Sequence, residues 1–210
     1  NAKQCKMVAH RGCSGLEKEN TLAAFIAAGN RSYWGVETDV HRTADGEYVV
    51  IHDSETGRVA GDNIVIENTS FEYIRSLRLK DIDGTRTRAD LRIPTLREYI
   101  AICKKYEKNC VLEFKTVYTL EQVAEMVEII KEEGWLEHVV FISFAYDNLL
   151  NLRKILPGHP AQFLTGEYTD AMVEMIHKDK IDLDIYFSAL DEEKIKHLHD
   201  LGIIVNAWTV

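Results

Sequence analysis

Gly35-Val36-Glu37-Thr38-Asp39-Val40 is the stretch on which the fold turns. It is short, rich in β-branched residues and bounded upstream by a glycine, which predicts a β-strand. Side chains two apart on a strand share a face. Glu37 and Asp39 therefore project together, while Val36, Thr38 and Val40 project to the other side. Two carboxylates held side by side repel each other and resist desolvation. Such a pair persists where water bathes it, as on an edge strand with a wet face, or where a cation sits between them. Hard oxygen ligands of this kind suit Mg²⁺ or Ca²⁺.

Outward from this strand, the pattern alternates. Met7–His10 reads as a first strand, and Leu22–Gly29 as a helix capped by Asn20 or Thr21, with Leu22, Phe25 and Ile26 on its apolar stripe. Ala44-Asp45-Gly46 signals a turn, and the apolar run Tyr48–Asp53 a third strand. Residues 54–92 are polar and irregular, with a short helix expected near Phe71–Leu79. Thr95 opens a helix after Pro94. Strand and helix then alternate to the end, with strands at 110–115, 139–144, 162–165, 183–187 and 203–210. Eight strands, mostly followed by helices and with apolar runs typical of burial on both faces, predict an α/β fold closed as a (β/α)₈ TIM barrel. A doubly wound open sheet is the fallback, but no Gly-rich phosphate loop follows the first strand. The expected departures are a connection between strands two and three too short for a helix, a small insertion after the third strand and the absence of a final helix. That absence leaves apolar surface beside strands one and eight, so continuation past Val210 or an oligomer through this open edge is expected.

The 210 residues are 46% hydrophobic and 28% charged, with three prolines and no low-complexity tract, which suits one domain over 1–210. A net charge of −9 argues against nucleic acid or an anionic membrane as partner. The longest apolar run, Val139–Ala145, is too short to span a bilayer. No signal peptide is evident, and Cys5, Cys13, Cys103 and Cys110 lack CxxC spacing. They read as free thiols in a reducing, cytoplasmic setting.

Reactive residues of a parallel barrel sit at the carboxyl ends of its strands. His10-Arg11-Gly12 ends strand one, Glu37 and Asp39 lie on strand two, and His52-Asp53 ends strand three. Glu113 and Lys115, then Asn206 and Trp208, are further pairs two apart. Singly, each has an ordinary explanation: a surface histidine, a solvated ion pair, a core tryptophan. Together they place two imidazoles, three carboxylates, an arginine and a lysine on one rim. Glu37, Asp39 and Glu113 can hold one divalent cation. Arg11 and Lys115 can bind an anionic oxygen, and two histidines can act as base and acid. Zinc is disfavoured, since no HxxxH or Cys/His cluster occurs. The set fits phosphoester cleavage better than glycoside hydrolysis, which needs two carboxylates and no cation cluster.

The same residues resemble the glycerophosphodiester phosphodiesterase family. His10-Arg11-Gly12, Glu19 through Phe25, Glu37-Thr38-Asp39-Val40, Thr43-Ala44-Asp45-Gly46 and Val50-Ile51-His52-Asp53 match its signature in order and spacing. Leu112-Glu113-Phe114-Lys115, Ile142-Ser143-Phe144 and Val205 through Val210 extend the likeness. Lys18 stands where the family usually has proline. The resemblance implies a TIM barrel and metal-dependent hydrolysis of glycerophosphodiesters to glycerol 3-phosphate and an alcohol. It implies His10 and His52 as the catalytic pair, and Glu37, Asp39 and Glu113 as ligands of Mg²⁺ or Ca²⁺. Arg11 and Lys115 would contact phosphate, and Trp208 would line the glycerol pocket. Glu19, Asn20 and Thr21 read as organisers of a helix start rather than as chemistry. The alternatives are a lysophospholipase D-type phosphodiesterase, which needs an apolar groove, and a non-catalytic phospho-ligand binding barrel.

Overall fold

A computed structural model describes residues 5–210. The strands are β1 (Val8–Ala9), β2 (Gly35–Arg42), β3 (Tyr48–Val50), β4 (Asn109–Phe114), β5 (Val139–Ser143), β6 (Ala161–Thr165), β7 (Asp182–Tyr186) and β8 (Val205–Trp208). The helices are α1 (Leu22–Gly29), α2 (Phe71–Ser76), α3 (Leu96–Lys105), α4 (Leu120–Glu132), α5 (Tyr146–Ile155), α6 (Asp170–Asp179) and α7 (Glu192–Asp200). The strand order is β1-β2-β4-β5-β6-β7-β8, with β3 paired to β2 off this path. This is the α/β architecture of the TIM-barrel class. The chain forms two compact units. One runs to Glu113 and includes Met126–Val139; the other comprises Phe114–Glu125 and Val140–Val210.

In the first unit β1 and β2 run parallel, Val8 beside Gly35 and Ala9 beside Val36. Every residue of β2 except Arg42 is buried, so both of its faces are covered and the wet edge strand is ruled out. The third strand corrects the expectation of eight parallel strands. β3 pairs antiparallel with β2, Val40 opposite Val50 and Arg42 opposite Tyr48. A parallel return needs a crossover of a dozen or more residues, whereas a tight turn permits only the antiparallel return. The link through Asp45 and Gly46 is such a turn, with Gly46 at φ +91°. β3 stops at Val50, whose N–H donates to the Pro94 carbonyl (2.8 Å) on the edge away from β2, while the Ile51 N–H still reaches the Asp39 carbonyl of β2 (3.0 Å). His52 and Asp53 thus lie in the bend after the strand, not on it.

The segment 54–92 was expected to be irregular and polar, yet it builds its own apolar core on β3. Val59, Ala60, Ile66, Ile74, Leu77, Leu79, Leu91 and Ile93 pack with Val49 and Ile51. These residues follow neither helical nor strand periodicity, so the pattern concealed the core. Helix α2 ends at Ser76, three residues short of the expected stop, because Leu77 turns to extended backbone. Helix α3 starts as its sequence dictates: Thr95 and Glu98 form a reciprocal capping box. Helix α1 is capped by Thr21, whose Oγ1 accepts from the Ala24 N–H. Gly12, at φ +75°, lies so close to this helix that a Cβ would sit 2.7 Å from the Ala24 carbonyl carbon.

In the second unit β5 through β8 are parallel neighbours in sequence order. Asn148 at the start of α5 ties the preceding loop, accepting from the Tyr118 N–H (2.8 Å) and donating to the Thr116 carbonyl (2.7 Å). Among the described residues no helix is long and apolar enough to cross a membrane.

The insertion core yields a stability prediction. Leu91 is fully buried there. Leu91→Ala should cost about 2–5 kcal/mol in urea-monitored unfolding; a change under about 1 kcal/mol would mean that the segment contributes little to the fold.

Candidate active site

Glu37, Asp39, Glu113, Arg11 and both histidines lie in the first unit. Parallel neighbours bring β2 and β4 side by side in the sheet order. Glu37, Asp39 and Glu113 are all buried, and each offers a carboxylate oxygen within 4.8 Å of the others. Burial pushes the Glu37 carboxyl well above the usual carboxylate range, and Asp39 and then Glu113 push it further, against a hydrogen bond from the Arg11 N–H. Three oxygen donors that repel one another when charged are a fitting cradle for a hard divalent cation. An all-oxygen donor set suits a hard cation and not a thiolate- or imidazole-seeking metal.

The loop after β1 supplies the next layer. Arg11 takes left-handed backbone, φ +54°. Its N–H thereby donates to Glu37 Oε2 at 2.8 Å. Its guanidinium donates through Nη1 to Glu19 Oε1 at 3.1 Å, and Nε lies 3.8 Å from Asp39 Oδ2. His10 Nε2 stands 3.9 Å from Glu37 Oε2. Burial lowers the His10 pKa, Arg11 lowers it further, and Asp39 partly restores it.

Asn20, also left-handed at φ +51°, donates through Nδ2 to Asp39 Oδ2 and accepts from Thr38 Oγ1, both at 2.8 Å. It therefore buttresses a cluster carboxylate instead of merely starting a helix. Asparagine tolerates the left-handed region better than most residues, and its place one residue before the cap was the available signal.

After β3, His52 Nδ1 donates to Asp53 Oδ1 at 2.6 Å. The His52 carbonyl accepts from His41 Nε2 at 3.2 Å. Asp53 Oδ2 accepts from Arg58 Nε at 2.6 Å, and the two terminal nitrogens of Arg58 donate to the two oxygens of Glu19, each at 2.8 Å. Burial raises the Glu19 carboxyl, but hydrogen bonds and charge from Arg58 and Arg11 outweigh it and hold it at about 2. Asp53 is likewise held at about 2, burial being outweighed by Arg58 and His52. His41, Asp53 and Arg58 went unassigned in the sequence, and Glu19, read there as an organiser of a helix start, instead accepts from Arg11 and Arg58. Nothing in the spacing of Arg58 links it to Glu19, 39 residues away.

Lys115 and Trp208 lie in the second unit. Lys115 follows the last residue of β4. Trp208 ends β8. Its ring meets Tyr186 at 5.2 Å and Phe144 at 5.9 Å between centroids. The indole N–H is buried and has no hydrogen-bond partner among the described residues.

The first unit can thus hold a divalent cation, attract an anion and move protons beside it. On a TIM-barrel chain this equipment defines a hydrolase of phosphoric diesters. Residues 10–210 match the model of the Glycerophosphoryl diester phosphodiesterase family, and the chain belongs to that family. It is 29% identical over 210 residues to the glycerophosphodiester phosphodiesterase of Caldanaerobacter subterraneus subsp. tengcongensis, covering 97% of this chain and 85% of that relative. It is similar in structure to a phosphodiesterase of Oleispira antarctica solved with the product sn-glycerol-3-phosphate. There the TM-score is 0.89 at 27% identity, covering 100% of this chain and 86% of that one. Similarity extends to the glycerophosphodiester phosphodiesterase of Thermotoga maritima, with TM-score 0.78 at 28% identity, covering 99% and 87%.

The Arg58–Glu19 pairing has a pH consequence. Glu19 has a folded pKa of about 2, below its ordinary 4.5. It therefore contributes stability that is present above about 4.5 and lost as pH falls toward 2. Glu19→Gln should flatten the fall of urea midpoint across that window. Parallel curves for the variant and the parent would contradict this.

Proposed function

We propose that this chain hydrolyses glycerophosphodiesters to glycerol 3-phosphate and an alcohol with one divalent cation, Mg²⁺ or Ca²⁺, held by Glu37, Asp39 and Glu113. The observation that carries the reading is the convergence of those three carboxylates within 4.8 Å, with His10 and Arg11 against Glu37. The product bound in the Oleispira antarctica neighbour supports a glycerol phosphate substrate. The cation, when bound, supplies Lewis-acid stabilisation of charge on the phosphoryl oxygens.

The protein's own groups have distinct tasks. Arg11 Nε is buried without a hydrogen-bond partner among the described residues, and a guanidinium fork suits a phosphate oxygen. Lys115 and Trp208 keep the substrate-binding roles that the family resemblance implies. The buried indole N–H, unpartnered among the described residues, and the neighbouring rings of Phe144 and Tyr186 support a glycerol-contacting role for Trp208. His10, next to Arg11, acts as base and takes the proton from the attacking oxygen as its bond to phosphorus forms. His52 acts as acid. Its Nδ1 faces Asp53, leaving Nε2 to give a proton to the departing alcohol oxygen as the phosphorus–oxygen bond breaks. The insertion follows His52 directly, so the head group leaves toward it, and small head groups are preferred to acyl chains. A cytoplasmic setting fits the four free thiols.

The functional test is a screen of glycerophosphocholine, glycerophosphoethanolamine and lysophosphatidylcholine with Mg²⁺, Ca²⁺ or EDTA. Activity should need a cation, and Glu37→Gln should lower kcat/KM by at least roughly a hundredfold. Full turnover after exhaustive chelation sinks the metal assignment, and faster turnover of the lysolipid favours the lysophospholipase D alternative.

The histidine roles separate by leaving group. Choline's alkoxide needs a proton to depart, whereas p-nitrophenolate does not. His52→Ala should nearly abolish cleavage of glycerophosphocholine but spare much of the activity on a p-nitrophenyl phosphodiester. His10→Ala should impair both. If His10→Ala is the variant rescued by the good leaving group, the two roles are exchanged.

A further inference from the structure

The insertion contributes one side chain to the network around the two histidines. Arg58 follows His52 by six positions, and its neighbours Val59 and Ala60 are buried in the insertion core. Its backbone is further anchored where Gly57 donates to Asn63 Oδ1 (2.8 Å) and Lys80 Nζ to the Gly57 carbonyl (3.3 Å). From this base the guanidinium spans two carboxylates on different loops. Nε holds Asp53, and both terminal nitrogens hold Glu19. Each partner has a second duty. Asp53 accepts from His52 Nδ1, and Glu19 accepts from Arg11 Nη1.

We propose that Arg58 is a positioning residue: by fixing the Asp53 carboxylate it sets the tautomer and orientation of the His52 ring, and through Glu19 it locks that ring in register with Arg11. The inference rests on the functional reading above, in which His52 protonates the leaving group. Its physical content is directional. An exposed ion pair adds little stability, and Arg58 is 46% exposed. A guanidinium, however, presents its donors in a rigid plane. Three donors engaged on two carboxylates leave Asp53 one orientation in which Oδ1 faces His52. The His41 bond to the His52 carbonyl holds the backbone but not the ring. Ring control therefore falls to Asp53, and control of Asp53 to Arg58. A lysine offers a point charge without the fork and cannot span both partners in this way.

The test uses the full chain loaded with Mg²⁺ and two substrates, glycerophosphocholine and a p-nitrophenyl phosphodiester of glycerol. Arg58→Gln should lower kcat on glycerophosphocholine by roughly tenfold to a hundredfold, a fraction of what general acid catalysis supplies. KM should change little, and the p-nitrophenyl substrate should be spared. Arg58→Lys should restore only part of the loss. In nitrogen-15 spectra the His52 ring should pass from one dominant tautomer in the parent to a mixture in Arg58→Gln. Glu19→Gln, which cuts the same fork from the other side, should shift the ring in the same direction and by less. Equal losses on both substrates, full recovery with lysine, or an unchanged His52 ring signal overturns the proposal. If the parent does not cleave glycerophosphocholine, the functional reading fails instead, and the ring spectra alone then decide whether Arg58 controls His52.

Discussion

Three carboxylates cannot share one dry space as anions unless something positive lies between them. Coulomb repulsion and desolvation both favour protonating at least one, and Glu37 is pushed well above the usual carboxylate range by burial and by its two neighbours. Much around the cluster answers this constraint. Arg11 turns its backbone into a left-handed conformation to aim an N–H at Glu37. Asn20 does the same to aim its amide at Asp39. Two residues in a sparsely populated backbone region, both serving carboxylates of one cluster, represent strain kept for a purpose.

The scaffold makes such strain tolerable. Strand β2 is buried on both faces, so Glu37 and Asp39 cannot escape by rotating the strand. Thr38, on the opposite face, is also tied to Asn20. One asparagine therefore grips both faces of the strand. Gly12 allows the β1 loop to lie against α1 at a distance that no other residue permits. The loop that carries His10 and Arg11 is thus fixed by packing rather than by length.

Much of this was legible in the sequence because it is periodic or local. Helix α1 begins and ends where its pattern and cap predict, and α3 opens after Thr95 as its sequence signals. The pairing of Glu37 with Asp39 follows from the two-residue repeat of a strand, and Glu113 joins them because β4 is next to β2 in the sheet. The antiparallel course of β3 was foreshadowed by its short connection, but an apolar run carries no direction. The insertion core was invisible because its apolar residues belong to turns and extended pieces, where no period exists to detect. Arg58 was out of reach for the same reason: its partners are chosen by the path of the chain, and spacing carries no trace of them.

The hairpin of β2 and β3 joins two functions that sequence order would separate. One strand bears cluster carboxylates, and the other leads straight to His52 and anchors the apolar insertion. The insertion is therefore one turn of chain away from a strand that carries two of the clustered carboxylates. On the proposed function, the segment placed at the departing alcohol can be rebuilt without touching the strand that bears those carboxylates. On such a frame, substrate range becomes a property inherited with a cassette, and the chemistry a property inherited with the sheet.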